Sequence, residues 1–97
     1  MAGTPGEKGV TPSGVVLDYP LDYVFKIMGL AADDFPEYAR RLVARVVEEA
    51  PPERVTVRTS AAGKYQSVSV EVTLRSEDER RQVYRLLHED SRVVYYL

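Results

Sequence analysis

The sequence predicts an α+β domain whose elements follow in the order β-α-β-β-α-β. Three observations predict it. Residues Val68 to Leu74 alternate strictly between apolar and polar, which marks a strand with one packed and one wet face. Two segments, opening near Asp34 and Ser76, repeat apolar residues at helical spacing. A turn of small residues centred on Gly63 joins two β-prone stretches.

Residues 1–14 hold Gly3, Gly6, Gly9 and Gly14 with Pro5 and Pro12, and Val10 is their one branched aliphatic residue. Such a segment buries too little to offset its ordering entropy. It is expected to be a disordered N-terminal tail, which leaves 15–97 as a single domain. The first strand is expected from Tyr23 to Met28, after Pro20, which cannot donate to a ladder. Tyr23, Phe25 and Ile27 share one face, and Val24, Lys26 and Met28 the other. Gly29 is expected to end the strand and let the chain turn.

A helix follows. Asp34 can cap it with Glu37 as the reciprocal partner of a capping box, and Pro36 is tolerated in the first turn. Phe35, Tyr38, Ala39, Leu42, Val43, Val46, Val47 and Ala50 make its apolar stripe, Glu37, Arg41, Arg45 and Glu49 its outer face, and Pro51-Pro52 its stop. Arg54 to Thr59 reads as the second strand, with Val55 and Val57 inward. The turn spans Ala61–Lys64, with Gly63 free to take a positive φ. The third strand places Val68, Val70, Val72 and Leu74 inward and Ser67, Ser69, Glu71 and Thr73 outward. Ser76 and Glu79 form a second capping box, opening a helix with Val83, Leu86 and Leu87 inside and Tyr84 at the margin. Glu77, Arg81, Arg85 and Glu89 read as its solvated face. Val93 to Leu97 is the last strand.

A hairpin between the second and third strands, with right-handed crossovers, gives a ferredoxin-like sandwich. Both helices then cover one face of a four-stranded antiparallel sheet, and the last strand lies beside the first. Ser67, Ser69, Glu71 and Thr73 fall on the open face.

Composition narrows the function. The 97 residues contain no Cys and a single His, with 13 basic against 15 acidic side chains and a net charge of −2. Thiolate and disulfide chemistry are excluded, and no metal site or cofactor is expected. A balanced charge gives no general attraction to nucleic acid or to an anionic membrane. No apolar run approaches the roughly 20 residues that span a bilayer. A cytoplasmic domain is expected.

No catalytic constellation emerges. Asp33/Asp34 and Glu48/Glu49 are adjacent pairs that do not converge, and His88 fits the cationic end of the second helix. The open face carries serines and Glu71 where an RNA-binding sheet presents aromatic rings, so RNA recognition is the least supported reading. The hairpin tip concentrates Ser60, Lys64, Tyr65, Gln66 and Ser67 around a glycine turn. Turn chemistry, with Tyr65 packed on the first strand, accounts for most of these residue types. A small enzyme using Lys64 or Tyr65 is the rival. The β-prone run Val93, Val94, Tyr95, Tyr96 and Leu97 is an edge able to pair, so a homodimer through that edge or through the open face is a further expectation.

Two segments carry a resemblance. Phe25-Lys26-Ile27-Met28-Gly29 resembles the F-x-[IV]-M-G strand end of the small YbeD-like family, and Ser60 to Ser69 resembles its S-S-x-G-x-Y-x-S-V-S hairpin. The closing Val93–Leu97 is similar to the family's short final strand. The resemblance implies a ferredoxin-like domain close to ACT regulatory modules, bacterial, cytosolic and non-enzymatic, with a link to lipoate metabolism through the family's namesake. This sequence departs from the pattern at Gln66, where members often carry His, and at Ala61, which replaces a second Ser. The expectation is a non-catalytic regulatory or adaptor domain that binds a small metabolite or a partner protein. Its candidate binding residues are Lys26, Met28, Gly29, Ser60, Gly63, Lys64, Tyr65, Gln66, Ser67 and Ser69.

Overall fold

The computed structural model describes residues 8–10 and 16–97. Its elements are β1 (Lys8–Val10), β2 (Val16–Asp18), β3 (Leu21–Leu30), α1 (Phe35–Ala44), a 3-10 turn (Pro52–Arg54), β4 (Val55–Thr59), β5 (Tyr65–Leu74), α2 (Glu77–Glu89) and β6 (Val93–Tyr96). Four strands pair in the order β4-β5-β3-β6, every neighbour antiparallel, while β1 and β2 form a separate hairpin. From β3 onward this is the ferredoxin-like split βαβ arrangement that the sequence predicts.

The alternation in β5 has its expected cause. Val68, Val70, Val72 and Leu74 are all fully buried against the helices, as are Phe25 and Ile27 of β3. Phe35, Ala39 and Val43 of α1 and Val83 and Leu87 of α2 close over them. Each of the valine, leucine, isoleucine and phenylalanine side chains among them stabilises the fold by about 1.5–3 kcal/mol relative to leaving it in water. Val57 shares the inner face, opposite Val68, yet is 42% exposed because β4 is the edge strand and the helices leave it uncovered.

Several expectations are corrected. Gly29 lies inside β3, which continues to Leu30. A Cβ there would sit 2.5 Å from the Phe35 ring and 2.6 Å from the Arg92 carbonyl, beside a bulge in the β3–β6 pairing. Close approach, not a turn, requires this glycine. Helix α1 ends at Ala44, well before the prolines. Tight i→i+3 bonds from Arg45 and Val46 to Leu42 and Val43 wind the chain down, and Val47 and Ala50 still reach the core. Asp34 makes no side-chain cap. Its carboxylate takes two 3.0 Å hydrogen bonds from Arg92 instead, and Glu37 is drawn to Arg40 and Arg41. Ser76 does cap α2, accepting from the Glu79 N–H at 3.1 Å, but the Glu79 carboxylate accepts from the Arg75 N–H.

Within the segment expected as a tail, residues 8–10 pair with Val16–Asp18, and the rest of residues 1–14 lie outside the described residues. Gly9 is buried against Glu77, so closely that a Cβ would overlap that side chain.

Candidate functional site

Among the described residues nothing covers the face of the sheet opposite the helices, and strand register fixes its layout. Lys26 lies opposite Ser69, which lies opposite Thr56. One row further, Tyr95, Met28, Ser67 and Arg58 stand side by side across all four strands. Leu30 and Tyr65 make the last row before the turn. Leu97 extends the β6 edge, exchanging backbone hydrogen bonds with Lys26 at 2.9 and 3.1 Å. Half the candidate residues, Lys26, Met28, Tyr65, Ser67 and Ser69, are thus brought together on this face.

Four of the other five, Ser60, Gly63, Lys64 and Gln66, build the hairpin. Ser60 organises the turn: its N–H donates to the Tyr65 carbonyl, its carbonyl accepts from Gly63, and its hydroxyl accepts from the Tyr65 N–H at 3.1 Å. Gly63 takes φ 75°, a left-handed conformation that L side chains rarely adopt. The Lys64 carbonyl accepts from Ala31 at 2.8 Å, and Gln66, which points to the helix side, accepts from the Ala32 N–H at 3.2 Å. Two bonds therefore latch the hairpin tip to the β3–α1 connection. Gly29 is absorbed by packing under Phe35.

Met28, Arg58, Thr59, Ser60, Tyr65 and Ser67 line a shallow depression of about 210 Å³. The Lys64 ammonium lies 5.4 Å from the centroid of the Tyr65 ring. The half-buried Ser67 and Ser69 hydroxyls and the Lys26 and Arg58 cations have no hydrogen-bond or ion-pair partner among the described residues. Arg58 is a member that sequence reasoning missed, although the Gly63 turn sets the register that puts it opposite Ser67.

Towards the far end of the same face the charges are neutralised. Arg54 reaches Glu71 at 2.9 Å and Asp22 at 3.8 Å, and Asp22 accepts from Thr73 at 2.8 Å. His88 is held by Tyr96, its Nδ1 3.1 Å from the phenol oxygen, in keeping with a structural role.

A second polar cluster lies on the helix side. Glu77, expected on the solvated face of α2, is buried at 8% exposure beside Arg80 at 6%. Arg80 forks onto both carboxylate oxygens at 3.0 and 2.6 Å, and the Tyr19 hydroxyl donates to Oε1 at 2.6 Å. The Arg80 hydrogen bonds hold the Glu77 carboxyl down at about 2, and burial with the Glu77 contact pushes the Tyr19 phenol up to about 12. Every member of this cluster is partnered, so it reads as a clamp between α2 and the start of β3.

Among the described residues no group of three or more His, Cys, Asp or Glu could hold a metal ion, and no helix is long and apolar enough to cross a membrane.

The family described as "Protein of unknown function (DUF493)" matches residues 15–97. The chain belongs to this family. Among its relatives, a UPF0250 protein of Idiomarina loihiensis is 34% identical over 84% of this chain and 91% of its own length. A UPF0250 protein of a Janthinobacterium species is 34% identical over 89% of this chain and 94% of its own. The YbeD-like resemblance read from the two motifs therefore extends over most of the chain. The solution structure of protein HP0495 from H. pylori superposes with a TM-score of 0.64, covering 92% of this chain and 97% of that one. At 20% identity it shows that a DUF493 chain and HP0495 share a fold.

Proposed function

We propose that this DUF493 domain is a non-catalytic adaptor or regulatory module of the cytosol that recognises a partner on the bare face of its sheet. One observation carries the reading. Among the candidate residues, Gly29, Ser60, Gly63 and Gln66 are consumed by the fold, whereas Lys26, Ser67 and Ser69 are left unused, and these three share one face.

Magnitude favours a protein partner over an enclosed metabolite. Small-molecule sites commonly occupy about 300–1,000 Å³ of concave space, whereas the depression beside Tyr65 holds about 210 Å³ and is open. Broad, shallow and part-apolar surfaces suit protein contacts. The edge of β6 is four residues long and borders a bulge, which supports recognition on the face rather than on that edge. Binding is also favoured over chemistry at the hairpin tip. The Lys64 ammonium meets the Tyr65 ring, and among the described residues neither side chain has an adjacent base of the kind that activates a nucleophile.

Site-specific photocrosslinking in the native cell tests this. A photoreactive side chain at Ser69 or Tyr95 should trap a discrete partner, and one at Arg85 on α2 should not. Crosslinks confined to Arg85 would overturn the reading. A thermal-shift screen against amino acids and lipoate, the latter because of the family's implied link to lipoate metabolism, tests the metabolite alternative. A shift of several degrees abolished by Tyr65→Ala would establish that alternative.

A further inference from the structure

The bare face is divided lengthwise. Its β3–β6 half is apolar apart from Asp22 and Lys26: Val24 is 44% exposed, Leu30 57%, Tyr95 55% and Leu97 59%, with half-buried Met28 among them. Its β4–β5 half is polar, and the unpaired charged side chains of the face as a whole, Lys26 on β3 and Arg58 on β4, are both positive. Glu71 is neutralised by Arg54, whereas Lys26 and Arg58 form no ion pair among the described residues. The whole chain carries a net charge of −2, so this concentration of free cations is local.

Width identifies the shape of the occupant. Two strands at about 4.8 Å spacing span about 10 Å, close to the diameter of one α-helix. A single helix laid along β3 and β6 would cover these apolar residues, meet Lys26 on β3 itself and turn one flank towards Arg58 across β5. Charge identifies the chemistry of that flank. A second copy docked face to face offers Lys26 and Arg58 no free carboxylate, because Asp22 and Glu71 of this face are already held by Arg54. The complementary flank is acidic.

We propose that the occupant is an amphipathic helix of another protein, its apolar stripe on Val24, Met28, Leu30, Tyr95 and Leu97 and a row of Asp or Glu facing Lys26 and Arg58. This rests on the reading of the bare face as the recognition surface and names the partner's chemistry. The exposed valine, leucines and tyrosine supply burial on docking, and the two cations set orientation and discriminate against basic helices. At the far end of the face Arg54 is committed to Glu71 and Asp22, so a nucleic acid, which would need cations along its whole track, meets no free cation there.

The test uses the full chain and three synthetic helical peptides with one shared apolar stripe and flanks of Glu, Lys or Gln. The Glu-flanked peptide should bind about tenfold or more tighter than the Lys-flanked one, with the gap narrowing as salt rises. Amide shifts should cluster at Lys26, Ser67, Ser69 and Tyr95, and the exposed double change Lys26→Glu, Arg58→Glu should reverse the preference. Binding to the face without charge preference, equal or tighter binding of an oligouridylate, or no binding of any peptide at millimolar concentration overturns this inference. A Glu-flanked peptide whose shifts map to α1 and α2 overturns instead the underlying reading of the bare face.

Discussion

The Tyr19 hydroxyl donates a 2.6 Å hydrogen bond to Oε1 of Glu77, joining the approach to β3 with the first turn of α2 across 58 positions of sequence. Arg80 holds the same carboxylate from the other side, and Gly9 of the β1–β2 hairpin lies over it. The cluster is buried and fully partnered, so its loss is costly in a specific way. Removing one member of a buried ion pair leaves the other charge without a counter-charge, at about 3–5 kcal/mol. Glu77→Ala is expected to lower stability by an amount of that order in urea denaturation. Tyr19→Phe, which removes one hydrogen bond to a charged acceptor, is expected to cost about 1.5–3 kcal/mol. Equal midpoints for Glu77→Ala and the parent chain would contradict the clamp.

The same carboxylate sets part of the acid response. Glu77 titrates near 4.5 in an unfolded chain and near 2 in the fold, where the Arg80 hydrogen bonds hold it ionised. Its stabilisation is therefore complete above about pH 4.5 and is lost as the pH falls towards 2. Glu37, also lowered to about 2 by Arg40 and Arg41, acts in the same direction. Stability measured against pH should fall through this window, and the fall should be shallower in Glu77→Gln. Parallel curves for the two proteins would rule out Glu77 as a contributor.

The two motif glycines should respond differently to alanine. At Gly63 nothing lies within 4 Å of a new Cβ, so the cost is the left-handed backbone alone, about 1–2 kcal/mol. At Gly29 the new atom meets the Arg92 carbonyl and the Phe35 ring, and β3 lies between β5 and β6, so relief requires moving backbone. Gly29→Ala is expected to be clearly the more destabilising. A thermal melt in which the order is reversed would refute the packing explanation.

Neighbouring motif positions should also separate structure from recognition. Gln66→Ala deprives the Ala32 N–H of its acceptor and should cost about 1 kcal/mol. Ser67→Ala and Ser69→Ala remove hydroxyls that the fold does not use, and should stay within about 0.5 kcal/mol of the parent. Chemical denaturation of the three variants checks this. A large loss at Ser67 would move that residue into the structural set.

What the sequence made legible was local. The β5 alternation and the Gly63 turn are encoded by neighbours in the chain, and the structure buries Val68, Val70, Val72 and Leu74 as their period requires. What was hidden depends on distant partners. Asp34 stands where a cap belongs, but Arg92, 58 positions away, takes its carboxylate. Glu77 has the helical phase of Arg81 and Arg85, and only Tyr19 and Gly9 reveal why it is inside. Gly29 looked like a strand terminator because its packing partners, Phe35 and Arg92, lie on other elements. The candidate site was half legible for the same reason. Alternation put Lys26, Met28, Ser67 and Ser69 on one face, whereas Arg58 joined them only through strand register.

The position of β3 has a consequence for how the chain is made. It is flanked on both sides, by β5 and by β6, and its outermost pair joins Leu21 to Leu74. Neither neighbour exists until the second half of the polypeptide has been synthesised. A nascent chain that has only reached Pro52 holds a hydrophobic β3 and α1 with no sheet to complete them. Contacts this distant in sequence are paid for in loop-closure entropy before they return stability, which slows folding. The domain is therefore all or nothing during translation, and a truncation before β5 leaves an aggregation-prone fragment rather than a smaller working unit.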